Sequence, residues 1–342
     1  MTETGQRNGF ARQTRIEILL RADEPIAHAE GTVGNAQVAM RQKIQMPNGR
    51  FVKVPIITGD TMRHGLREAA AYALLEAAEL LGTIELSERA LRFLFSGGMV
   101  LGAASDVVRL EEERRLREIL PHLPLLGGCV GNRIIPGKLE VGRALLVCDE
   151  TLPDLRGWVT DWLVEQGRET QCAREHVETV QRVRMDPTLD PRKHRLLAAG
   201  DAAAVQQRLL ASELASVRDD AKQKLETKST MMPFTYETIA QGSLFFWRLD
   251  AVTHTQLEHD TLYVMLAAFL SSARVGGKKG TGHGLLTPIA ARGLEREVAV
   301  SRPALGELAL HGEYRAPEVA RFREHVRSRR DDIVQTLAEI IA

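Results

Sequence analysis

The stretch Val54-Pro55-Ile56-Ile57-Thr58-Gly59-Asp60-Thr61-Met62-Arg63-His64-Gly65-Leu66-Arg67 decides the fold class of this chain. Val54 to Ile57 is apolar and predicts a buried strand, which a Thr-Gly turn ends. A helix is then predicted from about Asp60 to Leu81, with Thr58 or Asp60 as its N-cap and Gly82 as its stop. The predicted apolar stripe of that helix is Leu66, Ala70, Ala73, Leu74, Ala77 and Leu81.

Arg63 and Arg67 are four residues apart and therefore share a face in the first turns of this helix. Like charges at that spacing repel each other, and cations near a helix N-terminus oppose the helix dipole. An anion bound beside both arginines would explain the arrangement, since helix N-termini are themselves anion sites. Neutralisation by Glu68 and other acids is the alternative explanation.

A second segment is rich in glycine and lysine and runs from Gly276 to Gly284 as Gly-Gly-Lys-Lys-Gly-Thr-Gly-His-Gly. It follows a predicted helix (Leu257 to Ser272) and precedes a short predicted strand (Leu285 and Leu286). The P-loop and the dinucleotide fingerprint have the opposite order, because both follow a strand and open a helix. Glycine amides and two lysines favour an anion-binding loop, and a flexible surface loop with solvated lysines is the alternative.

Together the two segments resemble the RAMP superfamily of CRISPR proteins. The first resembles its strand–turn–helix motif, I-P-G-S-S-[LI]-[KR]-G-x-[LI]-R, and the second its glycine-rich loop, G-G-x-x-[ST]-x-G-x-G. The matching positions of the first are Pro55, the Thr58-Gly59 turn, Arg63, Gly65, Leu66 and Arg67. The likeness spans about residues 15 to 290, and it is greatest for the backbone subunit, the Cas seven family, in its type IV form. Thr58-Gly59-Asp60-Thr61 departs from the usual Gly-Ser-Ser.

The resemblance implies an α+β fold with a modified ferredoxin-like core, similar to the RNA-recognition motif, of order βαββαβ. It implies a single domain over residues 13–342. Within that domain we expect a projecting finger hairpin or loop at 28–50, a helical insertion at 83–140 and a thumb insertion at 186–233. A helix is predicted from Asp201 to Glu226 inside the thumb, and another from Pro317 to Ala342.

Composition limits the possible modes of binding. The 342 residues include 45 basic and 45 acidic side chains, so nucleic-acid binding requires local clusters of Arg and Lys. Aromatic residues make up 5%, which argues against base stacking as the main binding mode. Three cysteines (Cys129, Cys148 and Cys172) without a zinc or disulfide pattern indicate reduced thiols and a cytoplasmic protein. We expect no signal peptide and no membrane partner.

The family function implied by the resemblance is to bind guide RNA as the backbone subunit of a CRISPR ribonucleoprotein. Copies would assemble head to tail along the guide, other effector subunits would cap its ends, and the target nucleic acid would bind by base pairing. Protein contacts to phosphates would leave the base edges free. The predicted RNA-binding residues are Arg41, Lys43, Thr61, Arg63, His64, Arg67, Arg274, Gly276, Gly277, Lys278, Lys279, Thr281 and His283.

The resembled family uses hydrophobic residues of its thumb to wedge between bases of the guide. Met231, Met232 and Phe234 are the candidates here, because Met and Phe are side chains that proteins use to unstack bases. Ordinary core packing where the chain re-enters the fold is the alternative, and for Phe234 it is the preferred one.

Two enzymatic alternatives remain. Relatives that cut target RNA use an Asp in the loop corresponding to residues 31–50, where this chain has neither Asp nor Glu. Guide-precursor cleavage would need a histidine such as His28, with Glu30 nearby, but no nucleophile partner is evident. A phosphoryl-transfer enzyme would need a Walker-type lysine and a carboxylate cluster, and neither is apparent. We therefore expect no catalytic residues, no cofactor and no metal, since His254, His259 and Asp260 lack metal-ligand spacing.

Overall fold

The computed structural model describes residues 11–33, 36–98, 110–130, 133–155, 157–182, 187, 190–217, 234–297, 300–305 and 316–339. The chain forms two compact units. The first comprises residues 1–30, 39–178 and 238–342, and the second comprises 31–38 and 179–237. In the part of the chain that the structure describes, no helix has the length and apolarity needed to span a bilayer.

Strands and helices alternate irregularly along the chain. The strands are β1 (Arg12–Ala22), β2 (Ala29–Val33), β3 (Ala36–Ala39), β4 (Arg41–Gln45), β5 (Phe51–Ile57), β6 (Gly128–Val130), β7 (Arg133–Ile135), β8 (Leu139–Val141), β9 (Ala144–Leu146), β10 (Val177–Arg182), β11 (Phe234–Ile239), β12 (Leu244–Thr253), β13 (Leu286–Glu297) and β14 (Val300–Leu305). The helices are α1 (Gly59–Ala77), α2 (Glu88–Ser96), α3 (Leu110–Ile119), α4 (Leu123–Leu126), α5 (Gly157–Glu165), α6 (Ala199–Val217), α7 (Gln256–Leu270), α8 (Ala316–Ser328) and α9 (Arg330–Glu339).

The main sheet belongs to the first unit and has the strand order β14-β13-β1-β12-β9-β5-β4, with β8 also paired to β12. The long strand β1 is antiparallel to both of its neighbours, β12 and β13. Alternate residues of β1 point to opposite faces. Ile16, Ile18 and Leu20 belong to the largest apolar cluster, whereas Leu19 packs in another cluster with Trp158 and Val159 of α5. Helices therefore cover both faces of the sheet around β1.

Helices α1 and α7 share the largest apolar cluster with β1. Met62 and Leu66 of α1 join Leu262 and Phe269 of α7 in that cluster. The two helices come close at Gly65, where a Cβ atom would lie 2.5 Å from the ring of Phe269. Glycine at this motif position is thus required by packing between the helices.

The prediction for the end of α1 was wrong. The helix ends at Ala77, with Ala78 as its C-cap, rather than near Leu81. Glu79 (φ 56°) and Gly82 (φ 77°) both have positive φ, so the chain already turns at Glu79, three residues before the predicted stop. Leu81 is consequently 47% exposed and does not belong to the apolar stripe.

A second apolar cluster joins the far half of α1 to the predicted helical insertion and to the C-terminal helices. Leu74 of α1 packs there with Phe93 of α2, Leu123 of α4 and Phe322 of α8. The insertion also contains the short hairpin β6–β7. The single helix predicted from Pro317 is two helices, α8 and α9, which meet at Arg329.

The second unit contains most of a four-stranded sheet with the order β10-β11-β3-β2, and it also contains α6. Strand β3 is parallel to β11. The predicted finger is therefore divided: residues 31–38 belong to the unit that holds the predicted thumb, while the hairpin β4–β5 belongs to the main sheet. Met231 and Met232 lie outside the described residues, as does the predicted helix beyond Val217.

Candidate nucleic-acid interface

The start of α1 and the glycine loop line one groove in the first unit, although they are about 200 residues apart in the chain. The groove has a volume of about 470 Å³. It brings together six of the predicted RNA-binding residues, namely Thr61, His64, Arg274, Gly276, Gly277 and Lys279. His28, Ala29, Asp60, Gly65 and Val275 complete its lining.

The start of α1 is held by its N-cap and by a histidine. The Thr58 hydroxyl accepts a hydrogen bond from the Thr61 backbone N–H at 3.3 Å, which is the capping interaction that its sequence position predicts. The backbone N–H of Thr58 donates to Nε2 of His28, also at 3.3 Å. Burial lowers the pKa of His28, so the neutral ring can accept this bond.

The glycine loop is fixed to the segment that follows β1. The Gly277 N–H donates to the Ala27 carbonyl at 2.7 Å, and the Gly284 N–H donates to the Pro25 carbonyl at 3.0 Å. A Cβ on Gly276 (φ +74°) would lie 2.5 Å from the Ala27 oxygen. The glycines therefore allow close backbone approach, and the Gly277 N–H, which we expected to face an anion, is already bonded within the protein.

The tip of the loop carries its polar side chains. Lys279 and Thr281 lie on a single 3₁₀ turn and are exposed, whereas Lys278 is half-buried. His283 is buried, with Nδ1 3.0 Å from the Thr281 carbonyl oxygen. Lys279 is thus the cation of this loop that both lines the groove and is open to solvent.

Arg274 lines the groove but is paired within the protein. Its guanidinium donates to both carboxylate oxygens of Glu24, at 2.5 and 2.8 Å, and to the His283 carbonyl at 3.3 Å. The same interaction lowers the pKa of Glu24 and raises the pKa of Arg274. Part of the charge of Arg274 is therefore balanced before any ligand arrives.

Arg63 and Arg67 both donate hydrogen bonds to backbone carbonyls of the protein. Arg63 donates to the carbonyls of Leu126 and Leu139, both at 2.8 Å. Arg67 donates to the carbonyls of Leu126 at 2.7 Å and Gly127 at 3.0 Å. Burial, and next the charge of Arg63, lower the pKa of Arg67 to about 10, so it stays protonated at neutral pH. Three backbone carbonyls thus accept hydrogen bonds from the two arginines, and the charge of Asp60 also acts on Arg63.

A second groove adjoins the first at Asp60 and has a volume of about 550 Å³. Its lining includes Arg63, Gly59 and Arg143. Arg143 is exposed, lies just before β9 and is not among the predicted RNA-binding residues. Its sequence neighbourhood offers no charge pattern, and only the pairing of β9 with β5 brings it beside the start of α1.

The remaining predicted residues lie elsewhere. Arg41 and Lys43 lie on β4, where Arg41 donates to the Ala39 carbonyl at 3.3 Å. Phe234 is half-buried at the start of β11 and stacks on Tyr236, with ring centroids 5.9 Å apart. Within the described residues, no three His, Cys, Asp or Glu side chains form a cluster that could hold a metal ion.

The fold has a solved counterpart. A chain of a structure described as "Type IV-B CRISPR Complex" is 18% identical to this chain, with a TM-score of 0.50. The match covers 86% of this chain and 96% of that chain. No protein-family model and no curated protein matches the sequence. At this level of identity the likeness establishes a shared fold, and function has to be argued from the site.

Proposed function

We propose that this protein binds guide RNA as the backbone subunit of a type IV CRISPR ribonucleoprotein. The observation that carries the proposal is the shared groove, because both segments that resemble RAMP motifs line it. A chain of the type IV-B complex has the same fold, which supports the proposal independently of those motifs.

The topology of the main sheet also supports the assignment. Strands β13, β1, β12 and β9 are neighbours in that order, and each is antiparallel to the next. Helix α1 lies in the chain between β1 and β9, and α7 lies between β12 and β13. This is the order of a βαββαβ unit, and we propose that it is the modified ferredoxin-like core of a RAMP protein.

The groove offers groups suited to a phosphate backbone. Lys279 supplies an exposed cation, and Thr61 and His64 supply a hydroxyl and an imidazole from α1. Contacts of this kind fix the register of a strand without reading its sequence, which a variable guide requires. Lys278, Arg143 and Lys43 extend the proposed contact surface. In the proposal Arg63 and Arg67 act indirectly, by holding the segment that contains Leu126 and Leu139.

The proposed assembly follows from the role of a backbone subunit. Copies associate head to tail along the guide through a heterologous interface, and other effector subunits cap the two ends. The target nucleic acid then binds by base pairing. Met231 and Met232 remain the proposed thumb wedge, whereas the stacking of Phe234 on Tyr236 favours a packing role for that ring.

We propose that the subunit is not catalytic, since residues 31–50 contain no acid. One observation favours guide-precursor cleavage as a second candidate function: His28 lines the groove. A general base needs a ring nitrogen that can reach the substrate hydroxyl. Nε2 of His28 accepts the Thr58 N–H instead, which supports a structural role for this ring.

The test is to purify the full-length protein from a host that also expresses a type IV CRISPR locus. The co-purifying nucleic acid is sequenced and the particles are sized. Lys278→Ala/Lys279→Ala is compared with Arg89→Ala/Arg92→Ala, which removes two charges from the exposed side of α2 and leaves the glycine loop unchanged. Large particles with guide RNA are expected for the wild type and for the α2 variant.

The loop variant should yield smaller particles with little RNA. RNA-free protein from the wild type, or equal RNA content in all three proteins, would contradict the proposal. Guide RNAs that are correctly trimmed only when His28 is intact would instead support cleavage. His28→Gln tests this, because the amide oxygen can still accept the Thr58 N–H.

A further inference from the structure

The outward face of the hairpin β4–β5 combines an exposed aromatic ring with two lysines. Phe51 is 56% exposed, and Nζ of Lys43 lies 4.3 Å from the centroid of its ring. Lys43 is paired directly opposite Lys53 in the register of the two strands. Ile44 and Val52 alternate with these residues and pack against the largest core cluster, so Lys43, Phe51 and Lys53 share the outer face.

The opposition of Lys43 and Lys53 is unfavourable, and the contact of Lys43 with the Phe51 ring offsets only part of it. Like charges directly opposite each other on adjacent strands are destabilising. From Gly31 to Gly59 the sequence has no Asp or Glu, while Arg41, Lys43, Arg50 and Lys53 are basic. The hairpin is therefore locally cationic in a chain whose formal net charge is zero.

We propose that this face binds single-stranded nucleic acid: one base stacks on Phe51 as the Lys43 ammonium moves from the ring to a phosphate, and Lys53 holds a neighbouring phosphate. This inference rests on the proposed function and deepens it. Aromatic platforms flanked by cations bind single strands without sequence preference, because every base offers a π-face. A polyanion also complements the paired lysines better than a protein surface of mixed charge.

The hairpin leads directly into the start of α1. Thr58 is five positions after Lys53, a distance of roughly 16 Å along an extended strand. Thr58 lines the groove that contains Arg63 and Arg143. One single strand can therefore pass from the hairpin face towards this groove.

The test measures the affinity of the full-length protein, freed of RNA at high salt, for a fluorescein-labelled single-stranded oligoadenylate. Phe51→Leu keeps the apolar volume and removes the π-face, whereas Phe51→Trp keeps a π-face. We expect Phe51→Leu to weaken binding about tenfold and Phe51→Trp to retain it. Lys43→Ala/Lys53→Ala should lower the slope of log affinity against log salt by about 0.7 per lysine.

Equal affinity for Phe51→Leu and wild type would overturn the stacking inference while leaving the proposed function intact. Equal losses in Phe51→Leu and Phe51→Trp would also overturn it, since the ring face would then not matter. A smaller oligomer with unchanged RNA affinity would assign the face to a protein partner instead. A wild type that binds no RNA would overturn the inference and the proposed function together.

Discussion

Arg63 and Arg67, one turn apart on α1, both donate to the backbone carbonyl of Leu126, at 2.8 and 2.7 Å. A carbonyl oxygen has two lone pairs and can accept both bonds. The shared acceptor fixes the segment before β6 to the first turns of α1. It also gives the two like charges near the helix N-terminus a common hydrogen-bond acceptor.

We predict that Arg67→Ala destabilises the protein by about 2–4 kcal/mol, because buried carbonyls lose charged donors. Arg67 is 8% exposed and makes its bonds inside the protein. Arg63→Ala should cost less, because Arg63 is only half-buried. Urea unfolding measures both values. Equal midpoints for Arg67→Ala and wild type would refute the structural role.

Gly65→Ala should destabilise the protein by about 1–3 kcal/mol through overpacking between α1 and α7. The new Cβ would lie 2.5 Å from the Phe269 ring, which is buried against Trp247 and cannot readily move. Gly157→Ala is the matched control, since a Cβ there meets nothing within 4 Å. The two variants are compared by thermal unfolding. A Gly157→Ala variant as unstable as Gly65→Ala would contradict the packing explanation.

Because His122 is buried in its neutral form, we expect the protein to lose stability in mild acid. Burial, and next the charge of Arg67, lower the pKa of His122 from 6.5 to about 3. Because the folded pKa lies below the unfolded one, the unfolded state binds the proton first as the pH falls. Stability is thus full above about pH 6.5 and falls by about 1.4 kcal/mol per pH unit below it.

His122→Leu provides the control for this effect. Neither ring nitrogen of His122 has a hydrogen-bond partner among the described residues, so leucine loses no bond. The variant should keep the wild-type stability at pH 7 and exceed it by about 2 kcal/mol at pH 5. The free energies of unfolding of the variant and the wild type at pH 7 and pH 5 test this prediction. Parallel pH profiles for the two proteins would show that His122 does not titrate as proposed.

An ion pair links α8 to α7. Arg321 donates to both carboxylate oxygens of Asp260, each at 2.7 Å, and the Asp260 side chain is 1% exposed. Arg321→Ala should destabilise the protein by about 1–3 kcal/mol, because it leaves a buried carboxylate without this partner. The double variant Asp260→Ala/Arg321→Ala should lose less free energy of unfolding than the sum of the losses in the two single variants. If the losses in the two single variants add up to the loss in the double variant, the two side chains are not coupled.

The local elements could be predicted from the sequence because their signals lie within a few residues of one another. Thr58 as a cap, the strand before it and the helix before the glycine loop are examples. The partners of Arg63 could not be predicted, because Leu126 and Leu139 are more than 60 residues away and carry no polar side chain. For the same reason the hydrogen bonds from Arg63 and Arg67 to backbone carbonyls were not expected, and an anion bound beside the two arginines stays a prediction.

Part of the candidate site could also be predicted from the sequence. The two motifs were expected to act together, and the structure places them in one groove. The pairing of Arg274 with Glu24 and the division of the predicted finger between two units depend on long-range pairing of strands. The first residue with positive φ after α1 is Glu79, three residues before Gly82, which residue preferences alone do not indicate.

The most direct test of the central claim is ultraviolet cross-linking of the co-purified ribonucleoprotein, followed by mass spectrometry of the RNA-linked peptides. We expect cross-links within residues 274–284 and 58–64, the two segments that contribute lining residues to the groove. Loss of the loop cross-links in Lys278→Ala/Lys279→Ala, and not in Arg89→Ala/Arg92→Ala, would strengthen the result. Cross-links confined to other parts of the chain, with both segments unmodified, would contradict the account.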